Sequence, residues 1–95
     1  MPGQSAALIA IASNKNQDIV VRAYAVQHLR PLYERSGDVA IKDFFYKALL
    51  EEDSEVSGGA MLALNYLMNQ DEYGPVFDRA PVIQQAKKIA LNDTA

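Results

Sequence analysis

The chain reads as an all-helical protein built from stacked helical hairpins, and three observations carry that prediction. A shift of 35 residues brings two segments into register: Asp18 falls on Asp53, Val21 on Val56, Ala25 on Ala60, Val26 on Met61, Leu29 on Leu64 and Leu32 on Leu67. The matched positions 21, 25, 29 and 32 follow helical spacing, so they form one stripe of one helix, used twice. No segment shows sustained period-two alternation, and neither Asn-Gly nor Asp-Gly occurs to close a strand hairpin. A repeat of this period belongs to solenoids of helix pairs, in which one unit hides its apolar face only against the next.

Taken in order, Ser5 is placed to cap a short first helix over 6–13, rich in Ala, Leu and Ile on every side. Residues 14–17 are a polar turn. Asp18 then stands at an N-cap position, where its carboxylate accepts from free amides of the first turn of a helix over 19–35. Gly37 stops that helix. Pro31 removes one intrahelical donor and predicts a kink there, or an end followed by one extra turn.

Asp38 caps a third helix over 39–51, whose Ile41, Phe44, Phe45, Ala48 and Leu49 fall on one core-facing stripe. Asp53 or Ser54 opens a fourth helix reaching about residue 69. Gly58 and Gly59 within it each cost about 1 kcal/mol relative to Ala, and glycines at such places let another backbone approach, here the preceding helix. Breakers make 71–75 a loop, with Val76 and Phe77 pinned to the core. Pro81 suits the first turn of a fifth helix over 82–92. One domain results: repeat one over 5–36, repeat two over 38–69, a loop over 70–80 and a terminal helix over 81–92.

Composition narrows the function classes. Ninety-five residues with 49% hydrophobic and 22% charged content suit one small globular domain. Cys is absent, which excludes disulfides and thiolate metal sites and fits a reducing cytoplasmic setting. No basic leader precedes the apolar run over 6–12, which is too short to span a bilayer, so no membrane partner is expected. The net charge is −3 and Lys87-Lys88 is the one adjacent basic pair, which argues against nucleic acid.

These residues resemble HEAT repeats, whose pattern is an A helix, a tight turn bearing Asp, and a B helix opening with Val-Arg and continuing with Ala and Leu. Asp18, Val21, Arg22, Ala25 and Leu29 match the first unit. Asp53, Val56, Ala60 and Leu64 match the second, but Ser57 stands where the family favours Arg, so a stacked Asp–Arg ladder is incomplete. The stretch 82–91 resembles a third A helix and Asn92-Asp93 its turn. That helix is either a terminal cap, which polar Gln84, Gln85, Lys87 and Lys88 favour, or part of a longer array. The resemblance implies a right-handed α-α superhelix of antiparallel helix pairs that presents a concave B-helix surface to a protein or peptide.

Candidate sites follow from that frame. Gln27, Arg30 and Glu34 share one helix face, and the 35-residue shift continues the ridge as Leu62, Asn65 and Asn69. Arg30 is the expected charged anchor, with Gln27, Asn65 and Asn69 as hydrogen-bonding contacts. Leu8, Ile9 and Ile11 point in several directions, so leftover apolar surface on the first helix is expected to meet a second copy or a preceding repeat. The acidic run Glu51, Glu52, Asp53 and Glu55 lacks the spacing of a calcium loop and reads as capping and helix-dipole acids. His28, the one histidine, has no partner motif for catalysis, zinc or a cofactor, and the expectation is a non-enzymatic protein. The phenylalanines are expected in the core, with Tyr33 and Tyr66 at its rim. Within the resembled family some members are bilin lyase components and others excise damaged bases from DNA. The first role would place His28 and Tyr24 beside a carboxylate, and the second would need a basic concave face.

Overall fold

The computed structural model describes residues 2–94. Among the described residues five helices follow one another: α1 (Pro2–Ser13), α2 (Ile19–Ser36), α3 (Val39–Ala48), α4 (Ser54–Met68) and α5 (Ala80–Thr94), with a 3-10 turn at Gly74–Val76. Among the described residues there is no strand. α1 packs on α2 and α3 on α4. α1 also meets α3, and α2 meets α4, so two helical hairpins lie side by side with like helices adjacent.

Aspartate sets most of the helix starts. Asp18, Asp38, Asp53 and Asp78 each accept, through Oδ1, the amide two residues on: Val20 at 2.8 Å, Ala40 at 3.0 Å, Glu55 at 2.9 Å and Ala80 at 3.0 Å. Each bond satisfies a donor that the helix itself leaves free. α1 departs from expectation, because it begins at Pro2 and buries Ser5 instead of using it as a cap. Proline fits there, since the first-turn amides have no intrahelical acceptor. α2 runs through Pro31 without a break and ends at Gly37, whose φ of 64° suits glycine and whose N–H donates to the Tyr33 carbonyl.

α3 stops earlier than its periodicity predicts. The chain tightens through Leu50 N–H to Lys47 and Glu51 N–H to Ala48, each 3.1 Å, and so leaves Glu51 in the turn. At the other extreme α5 begins at Ala80 and continues through Asn92 and Asp93 to Thr94, where a turn was expected. No Gly or Pro stands in that stretch to stop it.

The core runs between the hairpins. Val26, Leu29, Ile41, Phe45, Val56, Leu64 and Leu67 have no exposed surface, and each such side chain contributes about 1.5–3 kcal/mol by burial. Leu29 and Leu64 are both fully buried, and Ala25 and Ala60 are buried as well. Gly59 permits a close approach, but by α2 and not by α3: a Cβ there would lie 3.1 Å from Val26 Cγ1.

The segment between α4 and α5 is strapped over the α2–α3 turn. Phe77 is buried against Tyr33 and Tyr46, with ring centroids 5.7 and 6.3 Å away. Tyr73 lies 5.6 Å from Tyr33 and donates its hydroxyl to the Glu34 carbonyl at 3.0 Å. Lys42 donates to the Val76 carbonyl, while the Tyr46 hydroxyl donates to the Asp78 carbonyl and accepts the Asp78 amide. Tyr33 is consequently buried, not at the rim, because the strap supplies two rings to cover it. Val76 remains exposed.

Candidate partner-binding groove

The side-by-side placement of α2 and α4 leaves a groove between their outer faces. Two depressions of about 580 and 420 Å³ share Gln27, Gly59 and Leu62 and so form one trough. Its floor exists because the sequence puts Gly58 and Gly59 on α4 where side chains would fill it. Gly59 brings the helices together, and at Gly58 a Cβ would meet nothing within 4 Å. Ala23 and Pro31 keep the α2 wall low.

Pro31 also alters the chemistry of that wall. With no N–H of its own, it cannot give the Gln27 carbonyl the usual helical donor, and Gln27 lines the trough. The exposed Gln27 amide stands beside it, and Leu62, 73% exposed, forms the opposite lip.

Arg30 is turned inward. It pairs with Glu34 one helical turn on, and its guanidinium carbon lies 4.2 Å above the centre of the Tyr66 ring. Glu34 further accepts from Gln70 at 3.4 Å. The cation is thereby spent on shaping the wall, and Tyr66 is held as a half-exposed ring at one end. Of the residues expected to bind a partner, the fold brings Gln27, Arg30 and Leu62 together in the groove. Glu34 reaches it only through Arg30. Asn65 and Asn69 are exposed and joined to one another at 3.4 Å, outside the groove lining. The glycine floor, Pro31 and Tyr66 were given no part in partner binding from sequence, where Gly58-Gly59 was expected to admit a neighbouring backbone, Pro31 to kink or end its helix and Tyr66 to sit at the rim of the core.

His28 lies at the edge. Its Nδ1 carries the proton donated to the Tyr24 carbonyl at 2.9 Å, and its ring stacks on Tyr24 at 4.9 Å. No carboxylate lines either depression that includes His28. The acidic run is dispersed: Asp53 caps α4, and Glu51 turns to Arg22. Among the described residues no three His, Asp or Glu side chains are placed to hold a metal ion, and no helix is long and apolar enough to cross a membrane.

Leu8, Ile9 and Ile11 diverge as their spacing predicts. Leu8 and Ile11 flank α2 beside Val21 and Tyr24, whereas Ile9 faces Ala40 and Phe44 of α3. All three pack partly against the core. No family model, curated protein or solved structure matches the chain.

Proposed function

We propose that the chain is a non-enzymatic interaction module of HEAT type, a right-handed superhelix of helix pairs, that holds a segment of a protein or peptide in the α2–α4 groove. The observation that carries this reading is the glycine-floored trough with Leu62 exposed along its lip. An apolar partner side chain enters above Gly58 against Leu62, with the Tyr66 ring two helical turns further along the trough. The Gln27 carbonyl and amide fix the partner's backbone, a mode in which a few polar groups orient an apolar contact. Arg30 acts by holding Tyr66, so its role differs from that of a free charged anchor. The dispersed basic residues and the Arg30–Glu34 pair speak for a protein partner over phosphate.

The test is blockage of the trough. Gly58→Trp places a ring in open space and leaves α4 intact, so its melting temperature should stay near that of the parent. Affinity capture from the native source, read by quantitative mass spectrometry, should recover species with the parent that Gly58→Trp and Leu62→Arg lose. Equal recovery by parent and both variants would reject the groove.

A further inference from the structure

We propose, building on the groove as the binding site, that the α2–α4 trough takes a basic peptide segment in extended form. A lysine or arginine of that segment sits two residues from the apolar side chain that enters above Gly58. The charge of the chain is unevenly placed. Residues 14–22 and 51–55 hold five acids and two bases, a balance equal to the whole net charge of −3, while the seven acids and seven bases elsewhere cancel. The two segments meet in space, since Lys15 and Arg22 both reach Glu51, at 3.9 and 2.6 Å. One end of the molecule is therefore acidic, and the trough opens at that end beside Ser54 and Glu55.

Pairing decides which of these acids meets a partner. Both cations of this end point to Glu51, and Asp18 and Asp53 hold the amides of Val20 and Glu55 as helix caps. Glu52 and Glu55 are exposed and form no ion pair among the described residues. Of these two, Glu55 lines the trough. Further along, Arg30 is closed by Glu34, so with His28 neutral the trough presents one free charge, and it is negative. Lys88 of α5 lies by Leu49 and Leu50 of α3, in a depression that shares no residue with the trough.

An anion is disfavoured at the same place. The N-terminus of α4 would attract one, but Asp53 already takes the Glu55 amide and Glu55 itself stands in the first turn, where it meets the helix dipole. A cation gains instead, because the surrounding acids add a field of the same sign around an exposed carboxylate. Spacing fixes the motif. Glu55 precedes Gly58 by three residues and Leu62 by seven, about 4.5 and 10.5 Å along the helix axis. In an extended segment, side chains two residues apart share a face and lie about 7 Å from one another. That separation sets an apolar side chain between Gly58 and Leu62 and a basic one over Glu55. The Gln27 amide on the facing wall finds free backbone groups on an extended segment, whereas a helix uses its own.

The test uses three pools of fluorescent heptapeptides, random except for a central Leu and the positions two residues to either side of it, which are Lys, Gln or Glu. Anisotropy titrations with the full chain at low salt should show the Lys pool binding at least about fivefold more tightly than the Glu pool, with the Gln pool between them. Raising the salt from about 50 to about 300 mM should narrow that difference. Glu55→Lys should reverse the order. Asp43→Lys, an equal change of net charge on the exposed side of α3, should keep it. Lys and Glu pools of equal affinity, or an order that survives Glu55→Lys, overturn the basic partner, and loss of that binding in Gly58→Trp would then leave the groove standing. Pools that bind the parent and Gly58→Trp alike, or no binding of any pool at about 1 mM, overturn groove and charge together.

Discussion

Where α2 carries Arg22, α4 carries Ser57, and the two hairpins close in different ways around that position. Arg22 is buried and donates from Nε to the Ala12 carbonyl at the end of α1, 2.9 Å away, and from a terminal nitrogen to Glu51 at 2.6 Å. It therefore ties three elements: α1, α2 and the turn between α3 and α4. Ser57 reaches only its own preceding turn, donating to the Asp53 carbonyl at 3.1 Å. Two positions on, the contrast reverses in size, with exposed Tyr24 on α2 and close-packed Gly59 on α4. The repeat keeps the capping aspartates and the apolar stripe, which any such hairpin needs. It varies the residues at the junctions, which determine what each hairpin touches next.

The largest effect should come from cutting the Arg22 tie. Arg22→Met strands the Ala12 carbonyl and leaves Glu51 without its partner, and breaking a buried ion pair of this kind costs about 3 kcal/mol. Glu51 keeps some access to water, and Lys15 lies 3.9 Å from it, so the cost sits at the low end for buried pairs. Ser57→Ala should cost less than about 1 kcal/mol, because its hydroxyl bond is local and duplicates backbone order. Urea unfolding of both variants checks the contrast. The double variant Arg22→Met with Glu51→Met should regain much of the loss, since an apolar pair carries no stranded charge. Equal costs at 22 and 57 would remove the distinction between the hairpins.

Exchanging the second junction tests the steric side. Gly59→Tyr, which writes the first hairpin's residue into the second, drives a ring into Val26 and should cost about 2–3 kcal/mol by overpacking. The reverse change, Tyr24→Gly, removes an exposed ring and should cost about 1 kcal/mol through helix propensity. Thermal melts of the two variants measure the asymmetry directly. Similar losses would mean that α2 and α4 are not as closely apposed at Gly59 as they are placed.

This pattern also explains what could be read from the chain alone. The Asp caps, the Leu29 and Leu64 stripe and the Gly37 stop were legible, because each is set by local rules of spacing and hydrogen bonding. The Arg22–Glu51 tie was not, although the residue was noticed, because α3 had to end early for Glu51 to turn inward. Tyr33 was misplaced for a related reason: its burial depends on Tyr73 and Phe77, which arrive from a loop 40 or more residues later. Within the groove, Gln27 and Leu62 followed from helical spacing. Arg30 lies on the expected face, but its pairing with Glu34 and its stacking on Tyr66 are choices of side-chain conformation that spacing does not set. Asn65 and Asn69 shared the ridge with Leu62, yet the groove turns away from them at the Tyr66 end.

The strapped end of the molecule should respond to alkali. Burial raises Tyr33 above the ordinary value of 10.0. Burial also raises Tyr46, where the Asp78 amide pulls the other way and the Asp78 charge adds to the rise. Tyr73 is raised by desolvation and by the charges of Glu72 and Glu34. For each group the folded state holds its proton longer than the unfolded chain. The stability these three contribute is thus complete below pH 10 and is lost as pH rises through their folded values. Urea midpoints should fall from about pH 10 upward. Tyr33→Phe should flatten that fall without abolishing it. A midpoint independent of pH up to the onset of general base denaturation would place these rings outside the packed strap.

The smallest predicted effect is the only gain, and it separates the two glycines that make the groove. Gly58 is helical, has an ordinary backbone and faces open space, so Gly58→Ala adds a methyl without a clash. Removing glycine from a helix interior should stabilise the fold by about 0.5–1 kcal/mol. At Gly59 the same methyl meets Val26 at 3.1 Å, and the propensity gain is offset by the few tenths of an ångström that α2 must yield. The pair of alanine variants, compared by urea unfolding under one set of conditions, should therefore order as Gly58→Ala above parent and Gly59→Ala below Gly58→Ala. That order arises because one glycine is there for α2 and the other leaves room above the floor. If both alanines stabilise equally, Gly59 is not set by the approach of α2. If Gly58→Ala fails to stabilise, the space above it is occupied in solution, and the trough is narrower than its lining residues make it.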